Sequence, residues 1–455
     1  MSDLPRGFCN STDQSTPIIL VQTSDVREWL EQQSPSSTEW LRRQKFSGKA
    51  GQHAWYEDGA SSSVVVAWNG TPAPETLGAL PMVLPEGQYH LSTQVHDLIL
   101  LGWGMGAYQF DRYTDPKRAP AELVLPAEQS SRIGNLVDAI SLGRDLINTP
   151  AADMAPSNLM AEVQAMAEEF GATCDLTTGD ALLDRNCGAI HAVGRAAEDP
   201  PSLAELRWGS TDHPHIVIIG KGVTFDSGGL NLKNASGMRT MKKDMGGAAT
   251  AIALAYAIMA EELPIQLSLI IPAAENAVSG NAFRPGDILN THAGLTVEID
   301  NTDAEGRLLL CDALSIASKS DPELIVDFAT LTGSARSAVG TEIGAMFATS
   351  DEVATAIGAA GSDLNDAVWR MPLHQPYKYM IDSKIADLVN SAASPYAGSV
   401  TAALFLQHFV GESNWVHFDI MAYNTRNRAA HPEGGEVMGL RAVLSYLEDT
   451  YGTAA

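Results

Sequence analysis

The sequence predicts an α/β protein, with a mixed, mostly parallel sheet flanked by helices in a C-terminal domain and a smaller α/β domain at the N-terminus. Two observations lead to this prediction. Apolar segments of strand length alternate with Ala-rich helical segments, a pattern typical of parallel strands covered on both faces. The chain is also 455 residues long and 45% hydrophobic, which is enough for two or three domains with large buried cores.

Short apolar runs between polar turns define the N-terminal elements. Residues 16–24 are typical of a strand, and the residues after Asp25 are typical of a capped helix. The other predicted elements of this part are two strands, 63–68 and 97–101, and a helix, 130–148. We therefore divide the chain into an N-terminal domain, 1–128, with an oligomer-forming or regulatory role, a linker helix, 129–150, and a C-terminal domain, 151–455.

Longer apolar runs mark the C-terminal domain. Its predicted strands are 215–225, 267–275, 296–301, 324–331 and 415–422, and its predicted helices are 156–170, 246–262, 305–318 and 399–410. In open α/β sheets the ligand site lies beyond the carboxyl ends of the strands. The loops that follow these strands are therefore the first places to search for chemistry.

The charge of the chain limits the classes of partner. There are 55 acidic and 29 basic residues, which give a formal charge of −26 and a pI near 4.7. Phosphate binding depends on clustered Lys and Arg, so we expect no nucleic-acid surface. The range 201–250 differs from the rest in having a net positive charge, with four acids and six bases. Metal ions or cationic ligands suit the rest of the protein better.

Cysteine spacing and hydropathy indicate a cytoplasmic protein. The four cysteines are scattered, with no Cys-x-x-Cys pair, which favours reduced thiols. The N-terminus lacks the pattern of a signal peptide, and no apolar run reaches the roughly 18 residues of a membrane span. We therefore expect no membrane association.

Three loops after predicted strands hold polar side chains. The first contains Asp226 and continues to Asp244, and the second contains Asp303 and Glu305. The third is Thr330-Leu-Thr-Gly333. Buried carboxylates without partners are costly, so the four acids require cations. For each acid taken alone, a salt bridge or a helix cap remains an adequate explanation.

The four carboxylates together favour a metal centre. Two divalent ions would neutralise their charge of −4, and oxygen ligands suit Zn²⁺, Mn²⁺, Co²⁺ or Mg²⁺. A pair of ions about 3.5 to 4 Å apart is the usual hydrolytic arrangement. The sequence thus predicts a two-metal hydrolase.

Three long segments resemble the motifs of the leucine aminopeptidase family, also called cytosol aminopeptidases. They are GKGVTFDSGGLNLK, MKKDMGGAAT and NTDAEGRLLL, and they occur in the order that the family has. The likeness extends through ATLTGSA, RMPL, DSKIADLVN and WVHFDIMA, so that it covers roughly residues 130 to 450, and it is weak in the N-terminal 125 residues. The family is a group of two-metal exopeptidases.

The resemblance implies a role for each site residue. The family's metal ligands fall on Lys221, Asp226, Asp244, Asp303 and Glu305, and its two catalytic side chains fall on Lys233 and Arg307. Lysine binds metal only as a neutral amine, so Lys221 needs a lowered pKa, which an adjacent dication supplies. Asp303 would belong to the more exchangeable of the two ion sites.

The implied reaction is release of N-terminal amino acids from peptides. A metal-activated hydroxide attacks the first peptide carbonyl, and protonated Lys233 stabilises the oxyanion, an effect of roughly 3 to 4 kcal/mol for one donor. Arg307 holds a bicarbonate in the family; a salt bridge to Asp303 or Glu305 is its other explanation.

The resemblance also implies a pocket for the first side chain, formed by Met241, Thr330, Leu331 and Gly333. An apolar pocket favours leucine or methionine, although Met241 could equally be core packing. Pocket contacts of one methylene change binding by about 1 to 3 kcal/mol, so a broad preference stays open. Family members form homohexamers, built as dimers of trimers, and we expect the same assembly.

Two other classes of function stay open from the residues. A two-metal phosphoesterase also uses clustered carboxylates, but normally adds histidine ligands. A non-catalytic binding protein with the same fold is the second alternative. A Gly102-x-Gly104-x-x-Ala107 pattern imitates a dinucleotide fingerprint but lacks a convincing acid about 20 residues further on.

Overall fold

The computed structural model describes residues 4–10, 14–58 and 61–452 and divides into two compact units. The first unit comprises residues 1–141 together with 425–433, and the second comprises 142–424 and 434–455. The division falls within one long helix. All four cysteines are free thiols, and in the described part of the chain no helix combines the length and apolar character needed to cross a membrane.

The first unit is built on a six-stranded sheet in the order β1-β6-β5-β2-β4-β3. All neighbouring strands are parallel except the edge pair β3 and β4. The strands are β1 Phe8–Cys9, β2 Thr16–Gln22, β3 His53–Asp58, β4 Ser61–Trp68, β5 Gln88–Leu91 and β6 Glu122–Val124. The helices are α1 Val26–Glu31, α2 Pro35–Arg43, α3 Leu80–Val83, α4 Asp97–Ala107 and the first part of α5 Ala127–Asn148, with a 3₁₀ turn at Pro74–Thr76.

The predicted strand 97–101 is wrong, because these residues begin α4. Every residue of α4 after Asp97 is buried, so the segment is apolar on all sides and has no helical periodicity in the sequence. The glycines of α4 allow neighbouring backbone segments to pack closely against the helix. A Cβ on Gly102 would lie 2.0 Å from the carbonyl oxygen of Pro74, and one on Gly106 would lie 1.8 Å from that of Gly78. Close backbone approach explains these glycines without a nucleotide.

The second unit contains a nine-stranded sheet in the order β16-β15-β18-β14-β9-β11-β8-β7, with β10 also paired to β11. Its centre, β18-β14-β9-β11, is parallel, as predicted. The strands of this sheet are β7 Thr173–Thr178, β8 Ser202–Trp208, β9 His215–Gly220, β10 Gly222–Asp226, β11 Gln266–Asn276, β14 Leu324–Ala329, β15 Gly344–Ala348, β16 Val368–Arg370 and β18 Trp415–Asp419.

Two smaller sheets complete the strands of this unit. They are formed by β12 Ile288–Asn290, β13 Thr296–Glu298 and β17 Leu388–Val389, and by β19 Tyr423–Asn424 and β20 Gly434–Gly435. The predicted strand 296–301 thus belongs to a small sheet and ends at Glu298. The predicted strand 215–225 is two strands, broken at Lys221, and this break lies at the functional site.

Ten α-helices lie wholly within the described part of this unit. They are α6 Pro156–Glu169, α7 Ala181–Asp184, α8 Gly188–Gly194, α9 Ala235–Met238, α10 Gly246–Ala260, α11 Gly306–Ser318, α12 Gly333–Val339, α13 Asp351–Asp363, α14 Gly398–Gln407 and α15 Leu440–Tyr451, with 3₁₀ helices at Met241–Met245 and Gln375–Ile381. Helix α10 packs against β9 and β14. Val217 and Ile219 of β9 join α11 and α14 in one apolar core.

Candidate active site

The site lies where polar loops follow the buried strands of the second unit. Lys221 occupies the break between β9 and β10, and Asp226 is the last residue of β10. Asp244 lies in the 3₁₀ helix before α10, and Glu305 is the residue before α11. These four side chains are between 1% and 4% exposed. The fold thus brings together charged residues that are up to 84 positions apart in the sequence.

Three carboxylates form the centre of this cluster. One oxygen from each of Asp226, Asp244 and Glu305 lies within 4.8 Å of the others. The Lys221 ammonium is 2.5 Å from Asp244 Oδ2 and 3.5 Å from Glu305 Oε1. Asp303, at 33% side-chain exposure the most open member, is reached by Lys233, whose ammonium is 2.5 Å from Asp303 Oδ1 and 2.7 Å from Asp226 Oδ2.

The electrostatics of the cluster are unbalanced. Burial and the charge of Asp226 raise the pKa of Glu305 well above its usual value, and burial and the charge of Asp244 raise the pKa of Asp226. Burial alone would raise the pKa of Asp244 as well, but the nearby Lys221 and Lys243 outweigh it and lower that pKa. Carboxylates crowded in this way favour a bound cation.

The neighbouring carboxylates raise the pKa values of Lys221 and Lys233. Burial would lower the pKa of Lys221, but Asp244, Glu305 and Asp226 together raise it. Burial likewise opposes the charge of Lys233, yet Asp226 raises its pKa. The carboxylates therefore keep both amines protonated. For Lys221 to bind metal as a neutral amine, an adjacent cation must lower its pKa.

The donor set of the cluster fits divalent metal ions. Four carboxylates and two ammonium groups leave an excess of two negative charges in a largely buried site. Glu305 Oε2 is buried and has no hydrogen-bond partner among the described residues. An unpaired buried carboxylate oxygen is costly, and oxygen donors together with an amine nitrogen suit hard or borderline divalent cations.

Arg307 lies beside the carboxylates on the first turn of α11. Its guanidinium is buried, and Nη1 donates a 2.7 Å hydrogen bond to the carbonyl oxygen of Asn390. Its Nε has no hydrogen-bond partner among the residues described. Burial lowers the pKa of Arg307 to about 10, so the group stays protonated near neutral pH. A buried cation with an unused donor is suited to a small anion.

The predicted pocket residues line the same cavity of about 520 Å³ as the carboxylates. Met241 and Thr330 are buried, Leu331 is half-buried and Gly333 begins α12. The Thr330 hydroxyl donates 2.8 Å and 2.9 Å hydrogen bonds to Asp244 Oδ1 and to its carbonyl oxygen. Thr330 thus orients Asp244 in addition to lining the cavity.

Three polar residues that the sequence reasoning missed hold the site loops. Asn276 Nδ2 donates to Asp226 Oδ1 at 2.9 Å and to the carbonyl oxygen of Thr302 at 3.0 Å. The amide of Asn390 bonds the backbone of residues 300, 301 and 304. Asp419 accepts hydrogen bonds from the Leu331 and Thr332 amides, both at 3.0 Å. Asn390 and Asp419 lie in the segments DSKIADLVN and WVHFDIMA, which were a usable signal.

The fold and the carboxylate cluster together point to a metal-dependent enzyme. Comparison with known families narrows this class. The model of the cytosol aminopeptidase family, catalytic domain, matches residues 141–444, and the model of the M17 aminopeptidase N-terminal domain matches residues 16–126. The chain belongs to the cytosol aminopeptidase family, and it is an aminopeptidase of the metallo-exopeptidase type.

Individual relatives agree with this assignment. A probable cytosol aminopeptidase of Syntrophotalea carbinolica is 35% identical over 445 residues, which cover 89% of each sequence. The crystal structure of cytosol aminopeptidase from Coxiella burnetii is 43% identical, covers 97% of this chain and 98% of that one, and has a TM-score of 0.94. The bottromycin maturation enzyme BotP in complex with Mn is 30% identical, with 96% and 99% coverage and a TM-score of 0.85.

Proposed function

We propose that this aminopeptidase holds two divalent metal ions per chain, Zn²⁺ or Mn²⁺ with Co²⁺ or Mg²⁺ as alternatives. The proposed ligands are Lys221, Asp226, Asp244, Asp303 and Glu305. The observation that carries the proposal is the buried trio of carboxylates within 4.8 Å, with an unpartnered oxygen on Glu305. Because Asp303 is the most exposed of the five, it belongs to the more exchangeable ion.

The protein side chains position the substrate and stabilise charge during peptide hydrolysis. When bound by these residues, the metal would supply a Lewis acid for the first peptide carbonyl and for a water nucleophile. Lys233 is only 17% exposed, and its ammonium stabilises the negative charge that develops on the carbonyl oxygen. Such a donor contributes roughly 3 to 4 kcal/mol to the transition state.

Arg307 is proposed to bind a bicarbonate ion. Its unpartnered Nε and its position in the wall of the cavity support this role. In this proposal Arg307 orients the anion, while the hydrogen bond from Nη1 to Asn390 fixes the guanidinium plane. A salt bridge to Asp303 or Glu305 is not observed among the described residues, which favours the anion-binding role.

The proposed substrates are peptides with a free N-terminus, with leucine-like first residues accepted and a broad preference possible within the same pocket. Met241, Thr330, Leu331 and Gly333 form this pocket in our proposal. One of the two ions would bind the uncharged α-amine of the substrate, and only an N-terminal residue offers an amine beside the scissile bond. This requirement restricts cleavage to the first peptide bond.

The family resemblance supports our proposals on assembly and location. We propose a cytoplasmic homohexamer, a dimer of trimers, without a nucleic-acid or membrane partner. The charge of −26 supports the absence of a nucleic-acid partner. Exposed aromatic side chains in the second unit, Trp369, Tyr379 and Tyr396, supply apolar surface for contacts between copies. Light scattering of the purified chain tests the hexamer.

One assay separates the proposed hydrolase from the phosphoesterase alternative. The purified protein is stripped with a chelator, reconstituted with Mn²⁺ or Zn²⁺, and offered leucine p-nitroanilide or p-nitrophenyl phosphate. We expect metal-dependent release of p-nitroaniline and no release of phosphate. Phosphate release alone would reject the peptidase proposal.

A further inference from the structure

Two cationic side chains that line the cavity, Lys243 and Arg336, form no hydrogen bond to the carboxylates of the cluster among the residues described. Both line the 520 Å³ cavity that contains Met241 and Gly333. The other cations of the cavity wall already have a role in the account: Lys233 pairs with carboxylates, and Arg307 is the proposed bicarbonate site. Lys243 and Arg336 therefore need a separate explanation.

Lys243 is buried without a hydrogen-bonded partner. It lies in the 3₁₀ helix two residues after Met241 and is 1% exposed. Its ammonium makes no hydrogen bond to any residue that the structure describes, and the nearest ion-pair contact, to Asp244 Oδ1, is 3.9 Å long. Because Lys243 lines the cavity, its ammonium group is available there as a hydrogen-bond donor.

Arg336 extends the same cationic surface. It lies on α12, and its guanidinium passes beside the pocket residue Gly333, where an added Cβ would be 3.5 Å from Nη2. Within the described ranges, no carboxylate forms an ion pair with it. The buried carboxylate of Asp419 interacts electrostatically with Arg336. Its oxygens, however, accept hydrogen bonds from Leu331 and Thr332, and Asp419 does not line the cavity.

We propose that Lys243 and Arg336 recognise a carboxylate on the first side chain of the substrate, so that N-terminal glutamate and aspartate are accepted. The inference rests on the proposed peptidase function and deepens it. In this proposal Met241 and Leu331 contact the methylene groups of the substrate's first side chain. Lys243 and Arg336 bind the carboxylate at the end of that side chain. A planar guanidinium binds a carboxylate through two parallel hydrogen bonds, whereas a neutral amide of the same shape leaves the two cations uncompensated.

The test compares glutamate with its neutral isostere. The metal-reconstituted full chain is assayed with p-nitroanilides of Glu, Gln and Leu, and kcat/KM is measured for each. We expect a Glu/Gln ratio of about ten or more in the unmodified protein. Arg336→Met should lower this ratio about tenfold, and Arg336→Lys should restore part of it. Lys243→Met, compared at equal metal content, should change the ratio in the same direction.

Arg27→Met is the matched control, because it removes one positive charge from a side chain that is 92% exposed in the first unit. Its Glu/Gln ratio should equal that of the unmodified protein. A ratio near one in the unmodified protein, or no change in Arg336→Met, would overturn the proposal. The dipeptides Leu-Glu and Leu-Gln test the second residue of the substrate. If Arg336 discriminates between these two dipeptides but not between Glu and Gln at the first residue, the proposal is also overturned. If leucine p-nitroanilide is hydrolysed without glutamate selectivity, only this inference fails; if neither is hydrolysed, the proposed function fails.

Discussion

The ammonium nitrogen of Lys221 lies 2.5 Å from Oδ2 of Asp244, and both side chains are almost fully buried. A lysine and an aspartate this close form an ordinary ion pair, yet Glu305 approaches the same ammonium at 3.5 Å and retains one unpartnered oxygen. A single lysine therefore does not satisfy the carboxylates around it. This imbalance is the physical reason to place cations in the cluster.

Removing Asp244 tests the buried pair. In the metal-free protein, Asp244→Asn leaves the Lys221 ammonium without its closest counter-charge, and we expect the free energy of unfolding to fall by about 3 kcal/mol. Urea unfolding monitored by circular dichroism measures this change. Asp212→Asn is the control, because Asp212 is exposed, and should change stability by less than about 0.5 kcal/mol. Equal stability of the two variants would contradict the account of the pair.

Replacing Lys233 tests the proposed oxyanion role. Lys233→Ala should lower kcat for leucine p-nitroanilide by about 10² to 10³, the size of one lost oxyanion donor. The metal content, measured by plasma mass spectrometry, should stay near two ions per chain, because Lys233 is not a proposed ligand. Lys384→Ala removes an exposed lysine and should leave kcat unchanged. Full activity in Lys233→Ala would remove the residue from the mechanism.

Arg307 offers a test of the proposed anion. Burial lowers its pKa only to about 10, so the guanidinium is charged throughout the assay range. We expect bicarbonate to stimulate the unmodified enzyme in carbonate-depleted buffer and to have no effect on Arg307→Met, since the neutral side chain offers no donor to the anion. Undiminished stimulation of Arg307→Met would show that bicarbonate acts elsewhere.

The raised carboxylate pKa values predict pH-dependent metal binding. The pKa of Glu305 and that of Asp226 are raised in the metal-free site, so each holds a proton at a higher pH than a free carboxylic acid does. A metal ion must displace these protons and that of Lys221. Metal affinity should therefore fall as pH decreases through the neutral and acidic range, because Lys221 is protonated there and Glu305 and Asp226 take up protons as the pH falls further. Equilibrium dialysis at several pH values measures the affinity, and a constant value down to pH 5 would contradict the prediction.

Close packing of α4 makes a prediction about stability. Gly106→Ala would place a Cβ 1.8 Å from the carbonyl oxygen of Gly78, and the required backbone shift should destabilise the first unit by about 2 kcal/mol or more. Gly358→Ala on α13 meets no atom within 4 Å and should be neutral or stabilising by up to about 1 kcal/mol. Denaturant unfolding compares the two variants, and equal effects would refute the packing argument.

The sequence predicted the parallel centre of the main sheet because its strands are buried on both faces and so form continuous apolar runs. The same property caused the error at 97–101, since a helix buried on all sides has the same apolar signature as a strand. Burial depends on neighbours that are distant in sequence, and the contact of Gly102 with Pro74 is one such case. Local patterns do not encode these contacts.

The charged residues of the site were predictable because long motifs carry them, and the structure brings Lys221, Asp226, Asp244 and Glu305 together. Their assignment as ligands stays a prediction. The supporting amides were not predictable from residue type, since Asn276 acts only through hydrogen bonds that the fold creates. Lys243 was also missed, because its lack of a partner becomes visible only when its surroundings are known.

A metal titration followed by activity tests the central claim most directly. The chelated protein is titrated with Mn²⁺ or Zn²⁺ while bound metal and leucine p-nitroanilide hydrolysis are measured on the same samples. The account predicts that activity reaches its plateau at two ions per chain. A plateau at one ion, or activity that does not depend on bound metal, would contradict it.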